Sequence, residues 1–420
     1  MDINPNFKEI KLSAVLNGIA LFIRALLGGI IAYIFVNSLT KTDYGYLTLI
    51  ISFLAVLEAF ADLGIGVSTS VFIAKSISRK INVFSCIISG FVLRTITILI
   101  IFILIFFFPN FVATTILNQP NLSNYIHYIA IGFIFCSYLL FFGRILQGLH
   151  SSSLRSIGIL SDVILYFTFS IFFVVILNQG LLGVITSYNI SKIIAFSVIL
   201  LLLIYRFKKI KLTLSKNLFI FKDIKNISKY ALPLSVTTLS AIVFIQLPIL
   251  LLGKFSNPEQ IGYYGLASKI VLILTIPSQA IIFSVSTALT HYKEKSIDSV
   301  SIKISRLLEI SFLLFLPLMI YVFLSANRII ILLNPEFNES IIILKILSLL
   351  ILFNSLTIIT GGILGFIGHA KIEAISYLIS TTFLLISGLF LFNRYNIIGM
   401  SLAAIFASMI NCTINLVYLI

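Results

Sequence analysis

A chain of 420 residues that is 60% hydrophobic and only 10% charged leaves no room for a water-soluble catalytic domain. Its net charge of +15 would suit nucleic acid or a membrane surface, but repeated apolar runs make the bilayer the simpler account and nucleic acid an unneeded partner. The three cysteines, Cys86, Cys136 and Cys412, lie in apolar runs without ligand spacing, so no disulfide, metal site or cofactor is expected.

A helix needs about 20 residues to cross a hydrocarbon core about 30 Å thick. In chain order, apolar runs predict spans near 13–38, 44–74, 82–108, 122–149, 156–178 and 181–205. A second set follows near 231–253, 259–289, 303–325, 337–367, 372–393 and 396–420. Lys8 and Lys11 precede the first span with no small-residue cleavage site after it, so a retained helix is expected rather than a signal peptide. Of the 29 Lys and Arg, 19 fall on one side of the predicted spans, counting Lys303 and Arg306 at the start of the span near 303–325, with four on the other side and six deeper within spans. By the positive-inside rule both termini are then cytoplasmic. The expected fold class is an all-α integral membrane protein of about 12 transmembrane helices.

The two sets of spans repeat one another. Asp43-Tyr44-Gly45-Tyr46 answers Gln260-Ile261-Gly262-Tyr263 at an offset of 217 residues. Val67-Ser68-Thr69 answers Val285-Ser286-Thr287, and Gly143-Arg144-Ile145-Leu146 answers Gly361-Gly362-Ile363-Leu364, both at 218. Gly183 and Gly399 open the last span of each set, 216 apart. Matches in register at one period mark an internal duplication. The predicted organisation is an N-terminal six-helix bundle (1–205), a basic cytoplasmic linker (206–230) and a C-terminal six-helix bundle (231–420). Six spans per half is even, so the repeat is parallel. Transporters built this way hold substrate between the halves near the midplane.

Several segments resemble a known family. Asn37-Ser38-Leu39-Thr40-Lys41-Thr42-Asp43-Tyr44-Gly45-Tyr46 and Asp62-Leu63-Gly64 resemble the segments flanking the second helix of polysaccharide flippases. Lys229-Tyr230-Ala231-Leu232-Pro233, Ile261-Gly262-Tyr263-Tyr264 and Ala267-Ser268-Lys269 are similar to that family's second-half openings, and Asn334-Pro335-Glu336-Phe337 to its Gly-x-Glu-Phe loop. Gln246 stands where many members carry an Asp. The family is the O-antigen or capsule repeat-unit (Wzx-type) flippases of the multidrug/oligosaccharidyl-lipid/polysaccharide (MOP) superfamily. The resemblance implies a MATE-like fold in the bacterial inner membrane. It also implies an undecaprenyl-diphosphate-linked oligosaccharide as substrate, H⁺ or Na⁺ as a coupling ion, and the polymerase and chain-length machinery of the same pathway as partners.

Charges inside a bilayer are functional candidates by default. Arg24, Arg94, Lys192, Arg144 and Lys269 fall within spans, and the functional reading makes them a cationic lining for the diphosphate. For Arg24 a structural pair with Glu58 stands beside that reading, for Arg144 snorkelling, and for Lys269 a helix-end anchor. Glu58, Asp62, Asp162 and Glu309 are the candidate coupling or structural acids, and for Asp62 and Asp162 solvation near the cytoplasmic face is the expected account. Pro248, Pro277 and Pro317 fall inside spans of the second half, where each removes a backbone hydrogen bond and permits a gating kink or shapes packing.

A MATE-like multidrug or cation antiporter is the main rival, but it should offer carboxylates to a positive drug, and cations outnumber acids at depth here. A membrane polymerase acting on the same lipid-linked sugars should carry a large outer loop with essential residues. The longest predicted outer loop, 109–122, has no charge, and His127, His150, His291 and His369 are scattered. The chain is therefore expected to be a transporter and not an enzyme.

Overall fold

The computed structural model describes residues 7–79, 82–210, 220–282 and 297–419. Residues 211–219 of the predicted linker, the Val285-Ser286-Thr287 copy of the repeat and His291 lie outside the described residues. Among the described residues there is no strand, and eleven helices are long and apolar enough to cross a membrane. Their outer faces carry bare apolar side chains such as Phe22, Ile100 and Leu332, as expected where lipid is the solvent. The expectation of an all-helical membrane protein holds.

In chain order the helices are α1 (Phe7–Ser38), α2 (Lys41–Asp62), α3 (Ile65–Ser78), α4 (Val83–Phe107), α5 (Ser123–Gly148), α6 (Ser152–Ser170) and α7 (Gly180–Ile210). Then come α8 (Ile220–Phe255), α9 (Pro258–Leu274), α10 (Ile297–Leu333), α11 (Ser340–Leu347), α12 (Leu349–Ile367) and α13 (Ala370–Leu419). At 50 residues α13 would be about 75 Å long at 1.5 Å per residue, more than twice the hydrocarbon thickness. Asn396, with φ 49° and ψ −132°, interrupts it, so α13 supplies two crossing lengths and breaks beside the predicted gap at 394–395. The predicted span 44–74 is instead two helices: Leu63 (φ 42°) and Gly64 (φ 72°) turn the chain between α2 and α3. Gly64 also packs against the Ala231 carbonyl on α8, which a side chain would obstruct.

The chain forms two compact units. Unit 1 holds residues 1–38 and 54–239, and unit 2 holds 39–53 and 240–420, so α2 and α8 each divide within a single helix. In unit 1, α5 packs on α3, α4 and α7, and α6 packs on α1 and α7. Ile73, Phe141, Ile145, Leu146, Ala195 and Ile199 are among its core residues. Two turns in this unit share a sequence and a geometry. Ile116-Leu117-Asn118-Gln119 and Ile176-Leu177-Asn178-Gln179 each close a π-helical turn. Leu117 donates to the Val112 carbonyl at 3.0 Å and Leu177 to Phe172 at 3.0 Å. The asparagines then adopt φ 53° and 50°, and the glutamine N–H reaches six residues back, to Ala113 at 2.7 Å and Phe173 at 3.1 Å. Asparagine tolerates this left-handed geometry better than other side chains.

In unit 2, α12 packs on α13 and α10, and α9 on α11. The first turns of α2 enter this unit through close backbone contact. A Cβ on Gly45 would overlap the Pro258 carbonyl oxygen, and one on Gly262 would fall 3.0 Å from that of Lys41. The two copies of the duplicated Gly-Tyr motif thus lie against each other. Phe337, fully buried, sits edge-on to Tyr44 at 5.4 Å and to Tyr263 at 5.9 Å between ring centroids. Lys41 stands 4.0 Å from Glu336. Three of the segments quoted for the family resemblance therefore form one clasp.

The prolines behave differently from one another. The helix of α9 gives way at Thr275, two residues before Pro277, and resumes over 276–282. Helices α8 and α10 run through Pro248 and Pro317 without interruption.

Candidate functional site

Glu58 and Asp62 lie one turn apart on α2, so both carboxylates face the same neighbour. That neighbour is Arg94, midway along α4 and fully buried. Its guanidinium donates to Glu58 Oε1, lies 3.4 Å from Asp62 Oδ1 and reaches the Ser137 carbonyl at 3.4 Å. The Ser137 hydroxyl donates to the second oxygen of Glu58. The Gly66 amide donates to Asp62 at 3.1 Å, and Thr97 ties the same region to the Ala61 carbonyl at 2.7 Å. Arg94 is thus paired with two acids inside unit 1. The sequence offers Arg24 as a partner for Glu58, but the carboxylate pairs with Arg94 instead.

Lys192 on α7 is paired as well. Its ammonium lies 2.7 and 2.6 Å from the two oxygens of Asp162 on α6, and 5.0 Å from the centre of the Tyr188 ring. Tyr188 in turn meets Tyr166, which meets Phe35 of α1. Asp162, expected to be solvated, is largely buried here beside its lysine.

The remaining cations of unit 1 are arranged otherwise. Arg144, near the end of α5, donates to the Gln147 side-chain oxygen at 3.1 Å, and Arg155 on α6 donates to the same oxygen at 2.9 Å. Arg155 also feels the like charges of Arg144 and of Arg24 on α1. Among the described residues, none of the three has a carboxylate within 4 Å. One neutral oxygen therefore takes N–H groups from two guanidiniums that carry five donors each. The fold holds the cluster together by a tight turn. His150 (φ 54°) reverses the chain after α5, and Arg206 braces the turn by donating to the Leu149 carbonyl at 3.1 Å. The stem of Arg155 then runs across Gly143, and that of Arg144 across Gly66. The sequence alone hides Arg155, because it counts there as a flanking charge of the predicted fifth span. The spacing of Arg144 and Gln147, three apart on one helix face, was the available signal.

Unit 2 contrasts with this. A pocket between α8, α9, α12 and α13 includes Gln246, Tyr264, Ser268, Asn354 and Ser408 with Pro248, and none of its lining residues is charged. Lys269 on α9 and Glu309 on α10 are exposed, as are Pro277 and Pro317. Among the described residues no three His, Cys, Asp or Glu groups converge as a metal site.

A family model described as "Polysaccharide biosynthesis protein" matches residues 13–290. No curated protein matches the chain in sequence. Several solved structures share its fold. An inward-facing multidrug resistance MATE family transporter of the MOP superfamily aligns with a TM-score of 0.76 and 15% identity, over 97% of this chain and 98% of that one. The MATE multidrug transporter DinF-BH aligns at 0.74 and 16% over 98% and 95%. A MOP superfamily transporter from Pyrococcus furiosus Vc1 (DSM3638), described as having a binding pocket of reversed polarity that suggests a different function, aligns at 0.64 and 16% over 97% and 95%.

Proposed function

The chain belongs to the polysaccharide biosynthesis protein family and is a multi-pass membrane transporter with the fold of the MOP superfamily; from that premise we propose that it flips a lipid-linked oligosaccharide. The substrate in this reading is an undecaprenyl-diphosphate-linked repeat unit. It moves from the cytoplasmic to the outer leaflet of the bacterial inner membrane, for O-antigen or capsule synthesis, and is handed to the polymerase and chain-length machinery. The observation that carries the reading is the pairing of Arg144 and Arg155 on one amide oxygen, with Arg24 a third cation of the same unit and, among the described residues, no carboxylate within 4 Å of any of them. A diphosphate matches guanidinium forks in charge and in geometry. Exporting a cationic drug would ask for free carboxylates, yet Glu58, Asp62 and Asp162 are all taken up by Arg94 and Lys192.

The test is made in the host strain. With the gene deleted and the rest of the pathway intact, the lipid-linked unit is located by an impermeant label in intact and inverted membranes. Units trapped on the cytoplasmic face, with surface polymer lost, support the reading. Units reaching the outer face with polymer intact, in a strain without a second flippase, overturn it.

A further inference from the structure

The first turns of α8 carry a second cationic surface, remote in sequence from the arginine cluster. Lys222, Lys225 and Lys229 follow at i, i+3 and i+7, so they share one helix face, and all three are exposed. Phe221 lies on that face one turn before Lys225 and is 90% exposed. The opposite face is fixed to unit 1. Asp223 accepts a hydrogen bond from Ser85 on α4 at 2.5 Å, the Ile220 carbonyl accepts one from Ser89 at 3.1 Å, and Ile227 is fully buried. The one acid in the segment is thus held by a serine on the side away from the lysines. At its other end the segment meets the end of α3. Tyr230 packs on Phe72 at 5.9 Å, and the Lys75 ammonium lies 5.5 Å from both rings, with Arg79 exposed one turn beyond.

Two features say what covers this surface. Ser85 and Ser89 belong to the first two turns of α4, one of the apolar spans, so α8 begins alongside a membrane helix and not in bulk water beyond it. An aromatic ring bare to this degree, flanked by lysines, is the composition of a helix lying at the acyl–headgroup boundary. Clusters of four or more Lys and Arg beside a span recruit anionic lipid. We propose that Lys75, Arg79, Lys222, Lys225 and Lys229, with Phe221 inserted beside them, dock the headgroup of an anionic phospholipid of the surrounding bilayer. The site is independent of the transport reading and stands whether or not the cargo is a lipid-linked sugar.

The chain has no tryptophan, so Phe221→Trp creates a single tryptophan at the site, excited selectively at wavelengths where tyrosine does not absorb. The full-length variant is reconstituted in phosphatidylcholine bilayers containing brominated phosphatidylglycerol or, at equal mole fraction, brominated phosphatidylcholine. Quenching by the anionic lipid is expected to be about fivefold the greater, the enrichment a single lysine contact supplies. The excess should vanish in a Lys222→Gln, Lys225→Gln, Lys229→Gln background. Equal quenching by the two lipids overturns the proposal. Quenching by neither places the ring in water or on a protein partner and overturns it as well. Reversal of the excess by stoichiometric unlabelled undecaprenyl diphosphate would overturn it too, by assigning the surface to that lipid. If the tryptophan variant fails to fold, phosphatidylglycerol retained on purification is compared between the parent and the triple glutamine variant. Equal retention overturns the proposal.

Discussion

At the scale of single residues, the cations of unit 1 divide by what their charge already faces. Arg94 holds two carboxylates and a carbonyl while fully buried. Removing one member of such a network strands the others, typically at about 3–5 kcal/mol. Arg94→Leu should therefore lower the thermal stability of the purified protein, and adding Glu58→Gln with Asp62→Asn should restore most of it. An Arg94→Leu protein that melts like the parent would refute the structural role. Arg155 should behave in the opposite way. Arg155→Ala relieves like-charge crowding, so the melting temperature should hold or rise, while transport falls at least about tenfold if one charge-assisted contact of about 1.5–3 kcal/mol is lost. Arg155→Lys should recover only part, because the ammonium has no fork. Undiminished export of repeat units by Arg155→Ala would remove the cluster from the mechanism. In the sequence, depth alone singles out Arg24, Arg94, Arg144 and Lys192. Depth does not say which carboxylate a cation meets, since that depends on helix rotation and on contacts between α2, α4 and α5 that no local pattern encodes.

At the scale of elements, hydropathy is enough to find nearly every helix, because only a helix satisfies its own backbone in lipid. It also places the break in α13, because Asn393, Arg394 and Asn396 interrupt the apolar run there. Hydropathy misses the turn at Leu63-Gly64, because the apolar character continues across it and only the backbone changes hand. The π-turns escape it for the same reason, although the repeated Ile-Leu-Asn-Gln is visible in the sequence. Asn118 should tolerate glycine, while Asn118→Ala should cost about 1–2 kcal/mol, the penalty of a left-handed residue with a Cβ and no compensating polar side chain. Matched melting temperatures for the alanine and glycine variants would show that the turn relaxes. Gly45 is a stricter case. A backbone oxygen occupies the place where its Cβ would stand, so Gly45→Ala should sharply reduce the yield of folded, membrane-inserted protein. Gly262→Ala, with 3.0 Å to the nearest backbone oxygen, should reduce it less. Equal yields of both variants and the parent would mean that the clasp opens freely.

At the scale of the whole molecule, charge and neutrality fall in different units. Unit 1 carries the arginine cluster, and the pocket of unit 2 is uncharged. A ligand that binds only the folded state stabilises it by an amount that grows with affinity. In detergent, undecaprenyl diphosphate should therefore stabilise the parent more than undecaprenyl monophosphate does, and the difference should disappear in Arg155→Ala. Equal stabilisation by the two lipids would argue against recognition of a diphosphate.

The glycine contact has a further meaning when its partners are compared by position. Gly45 meets the carbonyl of Pro258, and Gly262 meets that of Lys41; 45 and 262 are 217 apart, and so are 41 and 258. Gly265 lies against Thr48, again its own counterpart at 217. Each copy thus touches in the other what the other touches in it, the rule of an isologous two-fold interface. Such a seam is self-complementary, so two copies of a half-length chain could have made this same contact before fusion joined them, and fusion would preserve the joint while freeing each side to diverge.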